Sequence, residues 1–174
     1  TEIRNHIYNG DSKKADYIKK TLPAFTVSAT YKENRKKENI ESYTNLLHLD
    51  YDKLDNVKEV KAKIISIPNT YAAFISPSGN GIKVLVKSNN NETTHLYAFN
   101  ALKEYYDEII GIGSDKSVKD VLRLCFVSSD PDLYLNEDAE ERYRNRAMVS
   151  IIDDIASELK LCKKGTGFKV YVPS

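Results

Sequence analysis

Two apolar runs, TYAAFIS at 70–76 and GIKVLVK at 81–87, flank the tetrapeptide PSGN. Pro, Ser, Gly and Asn are the residues that reverse a chain, so the segment predicts two strands joined by a tight turn. Strands joined so closely run antiparallel, which argues for a mixed or antiparallel sheet. The rest of the chain is read around that hairpin. GDSKKADYIKK (10–20) predicts a short capped helix stopped by Pro23, and AFTVSATYK (24–32) and NLLHLDYD (45–52) predict strands. Asn56 can cap a helix over 57–66 that ends before Pro68. Residues 92–110 predict a long helix with Leu96, Phe99, Leu102, Tyr106 and Ile109 near one stripe. VLRLCFV (121–127) predicts a further strand, 138–162 a charged amphipathic helix, and GFKVYV (167–172) a last strand. The expected class is α+β, a sheet with helices mainly on one face.

The 174 residues fit one domain, and 41 % hydrophobic content with no run of about 18 apolar residues predicts a soluble globular protein with no membrane span. No charged-then-apolar leader opens the sequence, so the expected compartment is the cytoplasm. Two cysteines, Cys125 and Cys162, without a CxxC pair, and histidines only at 6, 48 and 95 argue against structural zinc. A net charge of +1 gives no global electrostatic case for nucleic acid, although ENRKKEN (33–39) and KLCKKG (160–165) are locally basic.

Side chains alternate across a strand, so His48, Asp50 and Asp52 share one face while Leu47, Leu49 and Tyr51 share the other. Two carboxylates at alternate positions, with Cα atoms roughly 6–7 Å apart, can converge on divalent cations. Unneutralised, they would repel, which calls for a cation or a basic partner. Taken alone, the pair also fits two solvated acids at a strand end. In the hairpin, Gly79 and Gly81 can let backbone amides approach an anion, and Lys83 emerges from the turn on one face of its strand. A plain turn with solubilising lysines is the alternative there. Arg123 interrupts VLRLCFV as the aspartates interrupt their strand, and a buried arginine takes a carboxylate or phosphate partner. Cys125 reads as a small buried side chain. Three strands, each apolar on one face and ionic on the other, point to one site on one sheet face.

In this order and spacing, KKTLPAFTVSATY, LLHLDYDKL, FISPSGNGIKVLV and GIGSDKSVKDVLRLCFVSSDPDLYLN resemble the archaeo-eukaryotic primase (primase-polymerase) superfamily. Within it, the chain is most similar to the VirE N-terminal-like domains of mobile-element and phage primase-helicase proteins. The resemblance covers roughly residues 19–136. It matches Asp50 and Asp52 to the family's acidic strand motif. It matches the glycine-rich form of the second motif, with Lys83 where histidine is usual, and it matches Asp115 to the third metal-binding aspartate, with Arg123 as its basic companion. Asp120 and Asp130 compete with Asp115 for that role, and Ala29 stands where glycine is common.

The resemblance implies an RRM-like catalytic unit over about 45–174, preceded by a small α/β unit over about 1–45. It implies template-directed nucleotidyl transfer by a DNA primase/polymerase, with two Mg²⁺ or Mn²⁺ ions on Asp50, Asp52 and Asp115. Ser78, Gly79, Gly81, Lys83 and Arg123 would hold the nucleoside triphosphate, whether NTP or dNTP. Single-stranded DNA would be the template, with basic segments 32–37 and 160–164 on its phosphates. A helicase domain or protein downstream is the implied partner. Two other readings stand beside this one: a non-catalytic single-stranded nucleic-acid-binding module of the same fold, and a DxD nucleotide-sugar-dependent transferase.

Overall fold

The computed structural model describes residues 1–141. Most of the helix expected over 138–162, the strand expected over 167–172, basic segment 160–164 and Cys162 lie outside the described residues. The elements run α1 (Glu2–Tyr8), α2 (Ser12–Lys20), β1 (Ala24–Thr26), β2 (Ala29–Tyr31), β3 (Ile40–Tyr43), β4 (Leu46–Tyr51), α3 (Val57–Ile65), β5 (Thr70–Ile75), β6 (Ile82–Lys87), α4 (His95–Ile110), β7 (Leu124–Phe126) and β8 (Tyr134–Leu135). The architecture is α+β, and every strand pairing among the described residues is antiparallel. No helix among them is long and apolar enough to cross a membrane.

The central sheet has the order β4-β6-β5-β8, with the expected hairpin β5–β6 at its middle. Register decides which side chains share a face. Leu49, Val84 and Ala73 lie level with one another, as do Tyr51, Ile82 and Ile75. This face meets α3 through Val60 and Ile64, and α4 through Ala98, Phe99, Leu102, Tyr106 and Ile110. Leu47 and Leu49 are fully buried, a gain of roughly 2 kcal/mol each from the hydrophobic effect.

Local chemistry sets the helix ends. The Asn56 side chain accepts from the Glu59 amide at 3.2 Å, as the sequence predicts for a cap. In α4 the Asn91 carboxamide accepts from the Thr93 and Thr94 amides, so the helix begins at His95 and not at 92. Its buried stripe is also rotated from the expected one. Ala98 and Ile110 face the sheet, while Leu96 and Ile109 are exposed by 48 % and 44 %. The period is helical, but the sheet lies on the side marked by Ala98 and Ile110.

The opposite face, which carries the ionic side chains of β4 and β6, is not left open to solvent. Ala72, Phe74 and Leu85 pack against Val27 and Cys125, so a second layer closes over it. That layer includes the short β1–β7 ladder. AFTVSATYK divides into β1 and β2, the latter pairing with β3, and VLRLCFV contributes only three strand residues.

Candidate functional site

Asp50 sits in β4, directly opposite Lys83 of β6. Asp52 follows one residue beyond the end of β4. Asp115 comes from a distant segment, where it caps a single 3₁₀ turn, Lys116–Lys119. Its amide donates to the Asp50 carbonyl at 2.8 Å, which draws the two segments together. As a result, Asp50, Asp52 and Asp115 each present a carboxylate oxygen within 4.8 Å of the others. Their exposure is graded: Asp50 is buried, Asp115 half-buried and Asp52 exposed.

Charge balance explains how a buried carboxylate survives here. The Lys83 ammonium donates to Asp50 Oδ2, and both residues are buried. Burial pushes the Asp50 carboxyl above its ordinary pKa; Lys83 opposes this and the nearby Asp52 adds to it. Lys19, in the last turn of α2, adds a further positive field at Asp50. Asp50 Oδ1 is buried with no hydrogen-bond partner. Asp115 is held below the usual carboxylate range, chiefly by the Ser117 hydroxyl at 2.5 Å and also by the Ser117 amide at 2.8 Å. His48 shares the sheet face of Asp50 and is 3 % exposed. Burial first, then Lys83 and Arg123, push its imidazole down to about 3, so it is neutral at physiological pH. Neither of its ring nitrogens has a partner.

This donor set fits a divalent cation. Hard cations take carboxylate oxygens, and three acids with one buried unpartnered oxygen supply them. The basic partner that the paired aspartates require is present as well, in Lys83.

The glycine turn supports Asp52 from behind. A Cβ on Gly81 would lie 2.6 Å from the Tyr51 carbonyl and 3.0 Å from Asp52 Oδ1, so only glycine fits. Gly79 adopts φ +86°, a left-handed conformation. Its amide donates to the Ser76 carbonyl at 2.9 Å and so closes the turn, where the sequence suggested an amide open to an anion. Ser78 is half-buried on the same turn. Arg4 of α1 packs on Gly79 and bonds the Ser76 and Ser129 carbonyls at 3.3 and 2.9 Å.

Arg123 departs from expectation, being exposed and lying just ahead of β7. Asp120 causes this: its side chain accepts from the Leu122 amide and its carbonyl from the Arg123 amide, so a turn replaces the first half of the strand. The Arg123 charge still acts on both Asp115 and His48. Asp130 serves the scaffold, accepting from Lys61 Nζ at 2.7 Å and from the Ile75 amide at 2.8 Å. Asp120 lines a separate pocket of about 280 Å³ with Lys37, Tyr43, His95 and Lys119. Lys19 and Arg4 have no motif to announce them, although the basic end of α2 just before Pro23 is a visible signal for the first.

The family model described as BT4734-like, N-terminal domain, matches residues 17–135, a span that includes all three aspartates, the glycine turn, Lys83 and Arg123. No curated protein and no solved structure matches the chain.

Proposed function

The chain belongs to the BT4734-like N-terminal domain family, and from the geometry of its acidic site we propose that it is a metal-dependent nucleotidyltransferase that copies single-stranded DNA, a primase-polymerase with an RRM-like catalytic sheet. The observation that carries this reading is the convergence of Asp50, Asp52 and Asp115 from two distant segments to within 4.8 Å. These three side chains would hold Mg²⁺ or Mn²⁺. Bound there, divalent cations supply charge neutralisation at a transferring phosphoryl group and lower the pKa of an attacking hydroxyl.

The chain's own residues supply the rest. Lys83, Lys19 and Arg123 surround the acids with positive charge, which suits the phosphates of an NTP or dNTP. Gly81 gives Asp52 room, and the Ser78–Gly81 turn forms the adjoining wall. Asp50 is buried, so each charge beside it acts more strongly than in solvent. A basic loop, residues 32–37, is the described segment suited to template phosphates.

One observation favours the second reading, a non-catalytic single-strand-binding module: Lys83 already neutralises Asp50 without any metal ion. Primer synthesis and extension on single-stranded DNA, with Mg²⁺ or Mn²⁺ and either nucleotide set, separate the two. Catalysis predicts product that Asp50→Ala or Asp52→Ala abolishes. An absence of product under every condition, with strand binding that survives both substitutions, would establish the binding module instead.

A further inference from the structure

We propose that Asp107 is the positioning residue of the carboxylate triad, one of its oxygens fastening together the two chain segments that carry the three acids. The role rests on the metal-site reading above, but the fastening itself is a property of the metal-free protein.

Asp107 Oδ1 accepts from the Tyr51 hydroxyl at 2.9 Å and from the Ser114 amide at 2.9 Å. Tyr51 lies between Asp50 and Asp52, and Ser114 immediately precedes Asp115. Tyr51 is fully buried and points through the helix-covered face of the sheet, away from Asp50. Its hydroxyl therefore reaches Asp107 of α4, which also bonds the chain leaving that helix. The Asp115 amide then closes the ring by donating to the Asp50 carbonyl. Two short bridges, one through the Tyr51 side chain and one through the backbone of β4, thus set where Asp115 stands relative to Asp50 and Asp52.

Helix stability does not account for a carboxylate at this place. Asp107 lies in the last turn of α4, where negative charge opposes the helix dipole. Lys103, one turn earlier, offsets that charge by donating to the other oxygen, Oδ2. The two oxygens are divided between tasks, Oδ1 for the site and Oδ2 for charge balance. Burial alone would raise the carboxyl, but hydrogen bonds from Lys103, Ser114 and Tyr51 hold it below its ordinary range, so it remains an acceptor.

Three variants separate these tasks. Asp107→Asn keeps an Oδ1 acceptor, Asp107→Leu removes it, and Lys103→Met removes only the charge pair. Amide hydrogen exchange at Asp115 in the metal-free protein reads the fastening directly, and Mn²⁺ titration reads its consequence. In Asp107→Leu the Asp115 amide should exchange about tenfold faster, and Mn²⁺ affinity should fall roughly 10-fold to 100-fold. Asp107→Asn should stay near wild type in both, and Lys103→Met should lower the melting temperature while moving neither. Should Asp107→Leu fail to fold, Tyr51→Phe removes one of the two bonds with the ring packing intact and should also speed exchange at Asp115. Unchanged exchange in the folded Asp107→Leu or Tyr51→Phe protein, or an equal acceleration in Lys103→Met, overturns the proposal. If wild type shows no Mn²⁺ binding that Asp50→Asn removes, the metal reading falls, while the exchange measurement still decides the role of Asp107.

Discussion

Lys83→Met is the most revealing single change, because it keeps most of the unbranched side chain and removes the only ammonium bonded to Asp50 among the described residues. Asp50 is 4 % exposed, so it would become a buried carboxylate without its counter-ion. Removing one partner of such a pair costs about 3–5 kcal/mol. Protonation offers relief, which makes the cost depend on pH. Burial already raises the Asp50 pKa with Lys83 present, and removing the lysine raises it further. Between the unfolded and folded pKa values, the native state then binds more protons than the unfolded state. Stability therefore falls as pH rises across that window, by about 1.4 kcal/mol per pH unit. The deficit should be small near pH 4 and largest near pH 8, where it would lower the melting temperature by roughly 6–20 °C. Thermal and urea unfolding at several pH values measures it. Mn²⁺ should stabilise the variant more than wild type, since a dication then meets three acids with no competing ammonium. Replacing both partners, Asp50→Leu with Lys83→Met, should recover most of the loss. A deficit that is flat with pH, or a Mn²⁺ stabilisation no larger than in wild type, refutes the reasoning.

Three further outcomes are expected. Because the Asp50 pKa is raised, a bound cation must displace a proton at acid pH, so Mn²⁺ affinity should climb with pH by up to about tenfold per unit before levelling off, with proton release visible by calorimetry in two buffers. Asp115, held low, should add nothing to that slope above the ordinary carboxylate range. Gly81→Ala drives a methyl group against the Tyr51 carbonyl and Asp52, so it should cost about 1–3 kcal/mol in chemical unfolding and weaken Mn²⁺ binding as well. Asp130→Ala takes the carboxylate from Lys61, which keeps the Asp132 carbonyl, and strips the partner from the Ile75 amide, so it should destabilise by about 1–3 kcal/mol yet leave Mn²⁺ affinity within roughly twofold.

The strands were legible where one face had to be apolar. Alternation in LLHLDY and IKVLVK separates Leu47, Leu49, Val84 and Val86 from His48, Asp50, Lys83 and Leu85, and the folded register preserves that division. The Asn56 cap was legible for the same local reason. What alternation cannot supply is pairing across the chain. That Asp50 lies level with Lys83 depends on the register between β4 and β6, which no single strand encodes. The cover over the second face comes from single residues, Val27 and Cys125, in segments too short to show a period. The exposed place of Arg123 was not legible, because the Asp120 turn cuts into an apolar run whose composition is that of a full strand. In the site, three aspartates could be named from sequence, but Asp107 could not, since on a helix face it looks like an ordinary solvated acid.

The bond from the Asp115 amide to the Asp50 carbonyl has a meaning beyond the site. Among the described residues, the order β4-β6-β5-β8 makes β4 an outer strand, and an outer strand as apolar as LLHLDY invites pairing with other chains. Asp115 occupies part of that rim. The segment that completes the acidic triad thus also guards the protein against self-association. A substitution that lifts it from β4 should announce itself first as aggregation, before any assay of chemistry is run.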